Sequence, residues 1–394
     1  MKMNKLILLI FTSVLFMKQA SASSDSCGLR ISLLTVTPGQ ELYSVFGHSA
    51  LRVVDSASGT DIIYNFGTFD FNDPDFYSKF VRGKLLYSLS QETFQNFRYE
   101  NEYFRRGITE QVLSFDCMEK TLIQANLFEN MQEENRYYKY DFLKDNCTTR
   151  LRDIIFSAKS MNANNKFLVS KTTSTYRDYL HFYLNRAEMP WTKLGIGLLL
   201  GLDADQIMNV TESMFLPDYL QKGVGLAKWG DKNLVSEENV LLPDLQPKPL
   251  APPFWQTPMF LFCVLSTIFI VLWNGKLIKS RAILEKMDYY LFFVVGFLGI
   301  ILSFMWGGTD HLSFRYNINL VWAMPLDIIA AFLLVKGNKN VKKYFLVYSL
   351  VLLLMITTFV VFPGMVNIST FPIIILLSYR SWMIGRNDKK TLKQ

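Results

Sequence analysis

One cysteine in a polar stretch is the first candidate for chemistry. Residues 144–153 read KDNCTTRLRD, and Asp145 or Asn146 would cap a helix there, which places Cys147 in the first turn. Free backbone N–H groups and the dipole at a helix start favour a thiolate and can stabilise an oxyanion. Cys147 is therefore a candidate nucleophile, with Asn146 as a supporting residue of the oxyanion site. The alternative is a small residue that only packs, which is common for a free cysteine.

A nucleophilic thiol needs a base, and the chain has three histidines. His48 begins a predicted strand about a hundred residues upstream and is the candidate base. His181 lies in the aromatic stretch YLHFYL, which indicates core packing, and His311 lies near the membrane part. The next strand offers Tyr64 and Asn65 on opposite faces. We expect Asn65 to orient the imidazole, because an amide oxygen accepts its N–H without a change of charge, and Tyr64 to support the site.

The surrounding pattern predicts an α+β domain. The stretches RISLLTV, HSALRVVD and DIIYNFGTF are typical of strands, and turn residues separate them. Residues 136–158 change to helical spacing, which puts Leu151, Ile154, Ile155 and Ala158 on one face. Residues 174–220 are mostly helical in pattern, with LGIGLLLGLDADQ as an interruption.

Export of this domain is predicted from the start of the chain. Residues 1–22 have a basic start, a short apolar core and the small-residue stretch ASA, as a secretory signal does. Residues 23–240 then form the predicted exported domain, and the proline-rich residues 241–253 form a linker. The transmembrane part is predicted over residues 254–384, and residues 385–394 form a basic tail.

Apolar composition predicts a bundle of about five membrane helices. The mean hydropathy of the chain is +0.16, too apolar for one soluble domain. The predicted spans are 254–273, 289–306, 319–335, 344–362 and 371–383. Lysine and arginine residues follow the first, third and fifth spans, so the positive-inside rule places the C-terminus in the cytoplasm and the exported domain outside. The net charge of +7 thus reports topology rather than binding of nucleic acid.

Several polar residues interrupt the membrane part. One group would lie at its outer side and is either a second functional cluster or a solvated loop; its members are Asp310, His311, Arg315, Asn317 and Asn319. Asp327 falls inside the third span and should face the bundle, paired or protonated. Cys27 and Cys117 can form a disulfide after export, but the sequence gives no geometry for it. We expect no metal, nucleotide or other cofactor.

The ordered set of motifs resembles a known family. GHSALRV, YNFGTF and DNCTTRLRD, together with GLDADQIMNVTESMFLPDYL and GTDHLSFRYNINLVWAMPL, look like the Lnb-type lipoprotein N-acyltransferases of Bacteroidetes. The resemblance implies an exported domain similar to the circularly permuted papain-like thiol enzymes of the NlpC superfamily, which include lecithin:retinol acyltransferase. It implies Cys147 as nucleophile, His48 as base and Asn65 as third polar residue.

Three functions remain open from the sequence. The resemblance implies a multi-pass enzyme of the inner membrane, with a periplasmic catalytic domain, that moves an acyl chain from a phospholipid to the terminal amine of a diacylated lipoprotein. The second possibility is a thiol peptidase or amidase that acts on envelope peptides and uses the spans only as an anchor. The third is a membrane scaffold without catalysis. An apolar path toward the membrane would favour the first over the second.

Overall fold

The structure is a computed structural model that describes residues 27–159, 166–275, 278, 280–362 and 364–386. The predicted signal segment and most of the predicted basic tail lie outside these residues. An N-terminal α+β domain ends at Leu242 and is followed by a helical region that begins at Phe254. The last strand of the domain thus continues two residues past the predicted boundary at 240, and residues 243–253 carry no regular structure.

An antiparallel sheet of seven strands forms the centre of the described N-terminal domain, in the order β11-β5-β1-β2-β3-β4-β6. The three predicted strands are its adjacent central members β1, β2 and β3. The strands of the domain are β1 (Leu29–Val36), β2 (His48–Asp55), β3 (Thr60–Thr68), β4 (Leu86–Thr93), β5 (Ile108–Leu113), β6 (Tyr137–Lys139), β7 (Lys171–Thr175), β8 (Ile207–Asn209), β9 (Lys228–Trp229), β10 (Lys232–Asn233) and β11 (Val235–Leu242).

Helices cover both faces of this sheet. They are α1 (Phe76–Val81), α2 (Phe94–Tyr103), α3 (Cys117–Asn130), α4 (Cys147–Ala158), α5 (Lys166–Val169), α6 (Tyr176–Arg186), α7 (Pro190–Leu199), α8 (Val210–Ser213) and α9 (Pro217–Leu226). Helices α3, α4 and α9 pack on one face through a shared core, and α2 packs on the other. The predicted apolar face of α4 is confirmed, because Leu151 and Ile155 are buried in this core and Ile154 and Ala158 pack against it.

Two predicted helix boundaries are wrong. The helical pattern over residues 136–158 is a helix only from Cys147, because Tyr137–Lys139 pairs with β4 at the sheet edge. The sheet supplies hydrogen bonds that outweigh the local helical spacing. The predicted interruption at LGIGLLLGLDADQ begins later than expected, because its first six residues belong to α7.

Cys27 and Cys117 form a disulfide. It ties the start of the domain to the first residue of α3, across 90 residues of sequence. A disulfide at this place agrees with an oxidising compartment such as the periplasm.

The helical region contains four described stretches that are long and apolar enough to cross a membrane: Ala282–Gly307, Leu312–Val335, Val341–Val361 and Ile368–Arg386. A shorter apolar helix, Pro258–Asn274, precedes them. Its helices are α10 (Pro258–Asn274), α11 (Arg281–Gly307), α12 (Leu326–Val335), α13 (Val341–Ile356), α14 (Thr358–Val361) and α15 (Phe371–Arg386). The third predicted span is α-helical only from Leu326, because Pro325 stands at its start and a 3-10 turn, Ile318–Val321, precedes it.

Two buried acidic side chains inside the bundle have polar partners. Asp327 is fully buried, and its Oδ1 accepts a hydrogen bond from the Tyr344 hydroxyl at 2.6 Å, as the inward-facing prediction requires. Arg380 donates from Nε and Nη2 to the two carboxylate oxygens of Asp288 at 2.9 and 2.8 Å. The Arg380 guanidinium also lies 3.5 Å from the centroid of the Trp273 ring. The sequence prediction did not include this ion pair.

Candidate active site

The imidazole of His48 and the carboxamide of Asn65 meet at the start of β2. Asn65 Nδ2 donates to Glu92 Oε1 at 2.8 Å, which fixes the orientation of the carboxamide. Asn65 Oδ1 then accepts from His48 Nε2, 3.0 Å away. Because Nε2 carries this proton, Nδ1 is the nitrogen available to a thiol. Gly47 precedes the histidine with φ +84°, a conformation that favours glycine and turns the chain into β2.

Cys147 is the first residue of α4, and Asn146 is its N-cap. Asn146 Oδ1 accepts from the backbone N–H groups of Thr148 and Thr149 at 2.8 and 2.9 Å. Asn146 Nδ2 donates to the carbonyls of Phe142 and Phe215. The carboxamide of Asn146 is thus fully occupied, so it positions the helix start and leaves the Cys147 N–H as the helix-start donor for an oxyanion.

The electrostatics favour an ion pair between the two groups. Burial opposes ionisation of Cys147, but the hydrogen bond with His48 and its positive charge outweigh burial and lower the pKa of the thiol. Burial likewise opposes the imidazolium, but the Cys147 thiolate and the Asn65 hydrogen bond outweigh it and raise the pKa of His48. Each charged form thus stabilises the other, which favours the thiolate–imidazolium pair, the reactive form of a cysteine nucleophile.

Glu92 is a site residue that the sequence analysis missed. It lies on β4, opposite Ile63 of β3, and therefore on the same face as Asn65. Burial, and then the charge of Glu100, raise the pKa of Glu92, while the Asn65 hydrogen bond opposes this shift. Only the register of β3 against β4 brings this carboxylate to Asn65, and a single sequence does not give that register.

Aromatic side chains lie next to Cys147 at Gly67. A β-carbon built on Gly67, whose φ is +89°, would lie 3.5 Å from Cys147 Cβ and 3.6 Å from Tyr140 Cε2. Tyr140 and the thiol therefore lie side by side across a glycine. Tyr64 instead packs against the main core on the face of β3 opposite Asn65, and none of its described hydrogen bonds reaches His48 or Cys147. Tyr64 thus packs against the same core as Cys147 without a described hydrogen bond to the pair.

The predicted polar cluster at the membrane side joins the two parts of the protein. Lys139 donates to Asp310 at 2.8 Å, and His311 Nε2 lies 3.0 Å from the Phe80 carbonyl oxygen. The side chain of Arg315 makes no described hydrogen bond. The backbone carbonyl of its neighbour Tyr316 accepts from the backbone N–H of Leu202. These contacts make the cluster a docking surface between the domain and the bundle.

Asn317 and Asn319 complete this docking surface from buried positions. Asn317 Nδ2 donates to the carbonyls of Leu198 and Leu199 at 2.7 and 3.1 Å, and Asn319 Nδ2 donates to those of Gly197 and Leu198 at 3.2 and 3.3 Å. The last carbonyls of a helix lack partners within the helix. The two amides therefore cap α7 and fasten the N-terminal domain to the bundle.

Loss of both amides should weaken this docking. In the variant Asn317→Ala with Asn319→Ala, the partly buried carbonyls of Leu198 and Leu199 lose these donors, at a cost of about 1–3 kcal/mol per unsatisfied group. A protease site placed in residues 243–253 allows the linker to be cut in the detergent-solubilised protein. After the linker is cut, the N-terminal domain and the bundle of wild type should elute together in gel filtration. Those of the double variant should elute separately. Asp310→Ala, which breaks an exposed ion pair, should behave as wild type. If its two parts separate as readily as those of the double variant, Asn317 and Asn319 do not hold the domain to the bundle.

Both parts of the chain match one protein family. Residues 16–182 match the family model of the Lnb N-terminal periplasmic domain, and residues 251–391 match that of the Lnb transmembrane domain. The chain belongs to the Lnb family. This confirms the resemblance on which the family prediction depends, and it makes the chain a membrane protein with a periplasmic N-terminal domain. No curated protein and no solved structure matches the chain.

Membership in the Lnb family also agrees with the observed fold, an α+β domain followed by apolar helices. The histidine strand precedes the cysteine helix in the chain, which is the order that a permuted papain-like domain requires. Among the described residues, no group of three histidine, cysteine or acidic side chains could hold a metal ion.

Proposed function

We propose that this protein is an acyltransferase of the inner membrane that moves a fatty acyl chain from a phospholipid to the terminal amine of a diacylated lipoprotein. The observation that carries the proposal is the contact of Cys147 with His48, with Asn65 and Glu92 behind the imidazole. A cysteine nucleophile with an imidazole partner suits transfer through a thioester. The C-terminus would lie in the cytoplasm.

The position of the thiol relative to the membrane favours this reaction over peptide hydrolysis. The loop before Cys147 faces the outer loop of the bundle, since Leu143 and Lys144 line one small cavity with Leu312 and Ser313. Lys139 in the same segment bonds to Asp310. A nucleophile held against the membrane end of the domain suits substrates that are anchored in lipid.

The first half of the reaction forms a thioester. The Cys147 thiolate attacks the carbonyl carbon of a phospholipid ester, and the Cys147 N–H stabilises the resulting oxyanion. The C–O bond breaks, and the His48 imidazolium gives its proton to the departing lysophospholipid oxygen. His48 is then neutral, and Asn65 holds it in place.

The second half forms the amide. The neutral amine of the lipoprotein's terminal cysteine attacks the thioester carbon, and His48 takes the proton from the attacking nitrogen. The C–S bond breaks and releases Cys147 as a thiolate beside the imidazolium. The donor ester supplies the activated acyl group, so no other co-reactant enters.

The test is intact mass of the detergent-solubilised full-length protein after incubation with phospholipid and without an acceptor. We expect an acyl adduct on Cys147 that neutral hydroxylamine removes. An adduct on Cys147→Ser should be an ester that resists the same treatment. The variant Cys263→Ser removes the other free thiol and should retain the adduct. No adduct on wild type, with cleavage of envelope peptides instead, would overturn the proposal.

The acceptor is tested on the same acylated protein. A synthetic peptide that begins with diacylglyceryl-cysteine should remove the adduct and gain one acyl chain. The same peptide with an acetylated amine should leave the adduct in place. Hydrolysis with equal rates in both cases would contradict transfer to the amine.

A further inference from the structure

Exposed aromatic side chains cluster between β3 and β4. Phe71, Tyr77 and Phe80 are 67%, 81% and 51% exposed, too exposed for core residues. Their rings contact one another through Phe69 and Phe76, with centroid distances between 4.7 and 6.2 Å. Contiguous exposed apolar surface of this kind marks an interaction site. We define these five residues, Phe69, Phe71, Phe76, Tyr77 and Phe80, as the aromatic lip.

The aromatic lip lies at the membrane end of the domain. The Asp310 N–H donates to the Arg82 carbonyl at 2.9 Å, and His311 Nε2 lies 3.0 Å from the Phe80 carbonyl oxygen. Asp310 and His311 connect α11 with the next apolar stretch, so they mark the outer end of the bundle. Aromatic residues are enriched at this level of a membrane.

A continuous aromatic surface joins the lip to the nucleophile. The Phe69 ring lies 5.3 Å from that of Tyr87, and Tyr87 stacks on Tyr140 with centroids 4.3 Å apart. Tyr140 in turn lies beside Cys147 across Gly67. Phe69, Tyr87 and Tyr140 therefore form a chain of contacts from the exposed edge toward the thiol.

Positive charge lies next to the lip. Lys139 bonds to Asp310, and the exposed side chains of Arg82 and Lys84 lie close enough that all three cations lower the pKa of Asp310, with the Lys139 hydrogen bond as the largest cause. Asp70, Asp73 and Asp75 also lie in the lip segment, where Lys79 pairs with Asp73, so the basic groups form a local cluster around Asp310. Such a cluster suits the phosphate of a phospholipid, and the aromatic path suits its acyl chain.

We propose that the aromatic lip is the entry site of the acyl donor. A phospholipid of the facing leaflet places its phosphate near Arg82 and Lys84, and one acyl chain lies over the lip and Tyr87 toward Cys147. This inference rests on the proposed function, because it names the route by which the donor of that reaction reaches the thiol.

The test compares two donors of the Cys147 acyl group. The variant Phe71→Ser with Tyr77→Ser and Phe80→Ser is reconstituted in phosphatidylglycerol bilayers, and the rate of Cys147 acylation is measured by mass. The same proteins in detergent are given p-nitrophenyl acetate, a soluble ester that needs no membrane route. The triple variant should lose about tenfold or more with the bilayer donor and stay within about twofold of wild type with the soluble ester.

The possible results distinguish failure of this inference from failure of the proposed function. If the bilayer rate of the triple variant equals that of wild type, or if both donors slow equally, the inference is overturned and the proposed function stands. If neither donor acylates wild type, the proposed function fails and the inference fails with it. Met118→Ser with Phe128→Ser removes equally exposed apolar side chains from α3 and should leave both rates unchanged.

Discussion

Replacing His48 with alanine should move the reactivity of Cys147 to higher pH. In wild type the imidazole lowers the pKa of the thiol, so the thiolate forms below the ordinary cysteine range. Without His48, burial opposes ionisation of Cys147 and only the smaller effects of the Thr148 and Ser49 hydrogen bonds still favour it, so the pKa of the thiol rises. A thiol at the ordinary pKa of about 8.5 is about 3% thiolate at pH 7, so the alkylation rate at that pH can fall by up to about 30-fold. Acyl transfer should lose about 10²–10⁴-fold, because proton transfer to and from the leaving and attacking groups is lost too.

The measurement is the rate of iodoacetamide alkylation at Cys147 between pH 5 and 10, in a Cys263→Ser background. The pH at which the alkylation rate increases should be higher for His48→Ala than for wild type. The shift should be smaller for Asn65→Ala, which keeps the imidazole but no longer fixes its orientation. His311→Gln removes a histidine that contacts the Phe80 carbonyl and should leave the profile unchanged. A His48→Ala profile that coincides with that of wild type would refute the thiolate–imidazolium pair.

The residues at the centre of the candidate site could be predicted because local rules govern them. The polar DNC sequence predicts a helix cap, and a cap places the next residue at the dipole and the free N–H groups. His48 and Asn65 lie on adjacent strands that a short turn connects. The contact of His48 with Cys147 is a tertiary contact, and the sequence indicated it only through the order of motifs.

Residues whose role depends on a distant partner could not be predicted. Glu92 reaches Asn65 only through the pairing of β3 with β4. The membrane-side asparagines looked like a second polar site, yet their partners are backbone carbonyls of α7, more than a hundred residues earlier. Carbonyl acceptors have no sequence signature, so an amide that caps another helix cannot be distinguished from one that binds a ligand.

The docking surface and the active site are connected through shared segments of the chain. The segment that precedes Cys147 carries Lys139, which bonds to Asp310, and the lip carries the Phe80 carbonyl, which contacts His311. Docking therefore fixes the height of the thiol above the membrane, while the Cys147–His48 contact is built within the domain. Variants that loosen docking should reduce transfer from bilayer lipid more than reaction with a soluble ester.

Separating the buried charges of Arg380 and Asp288 should destabilise the bundle strongly. Both side chains are almost fully buried, and the pair is bidentate. Removing one partner leaves an uncompensated charge in an apolar surrounding, which costs about 3–5 kcal/mol. Removing both charges avoids this cost, and an apolar pair of similar volume restores packing. Asp288→Leu and Arg380→Met should each unfold at lower denaturant than wild type, and the double variant should regain most of the loss.

The measurement is equilibrium or kinetic unfolding of the detergent-solubilised protein, with tryptophan emission as the signal for the bundle, since Trp273 stacks on the Arg380 guanidinium. Asp73→Ala breaks the half-exposed pair with Lys79 in the N-terminal domain and should change stability by less than about 1 kcal/mol. A double variant as unstable as the sum of the two single variants would show that the pair does not act as a unit. In that case the destabilisation would come from lost packing against Trp273 rather than from an unpaired charge.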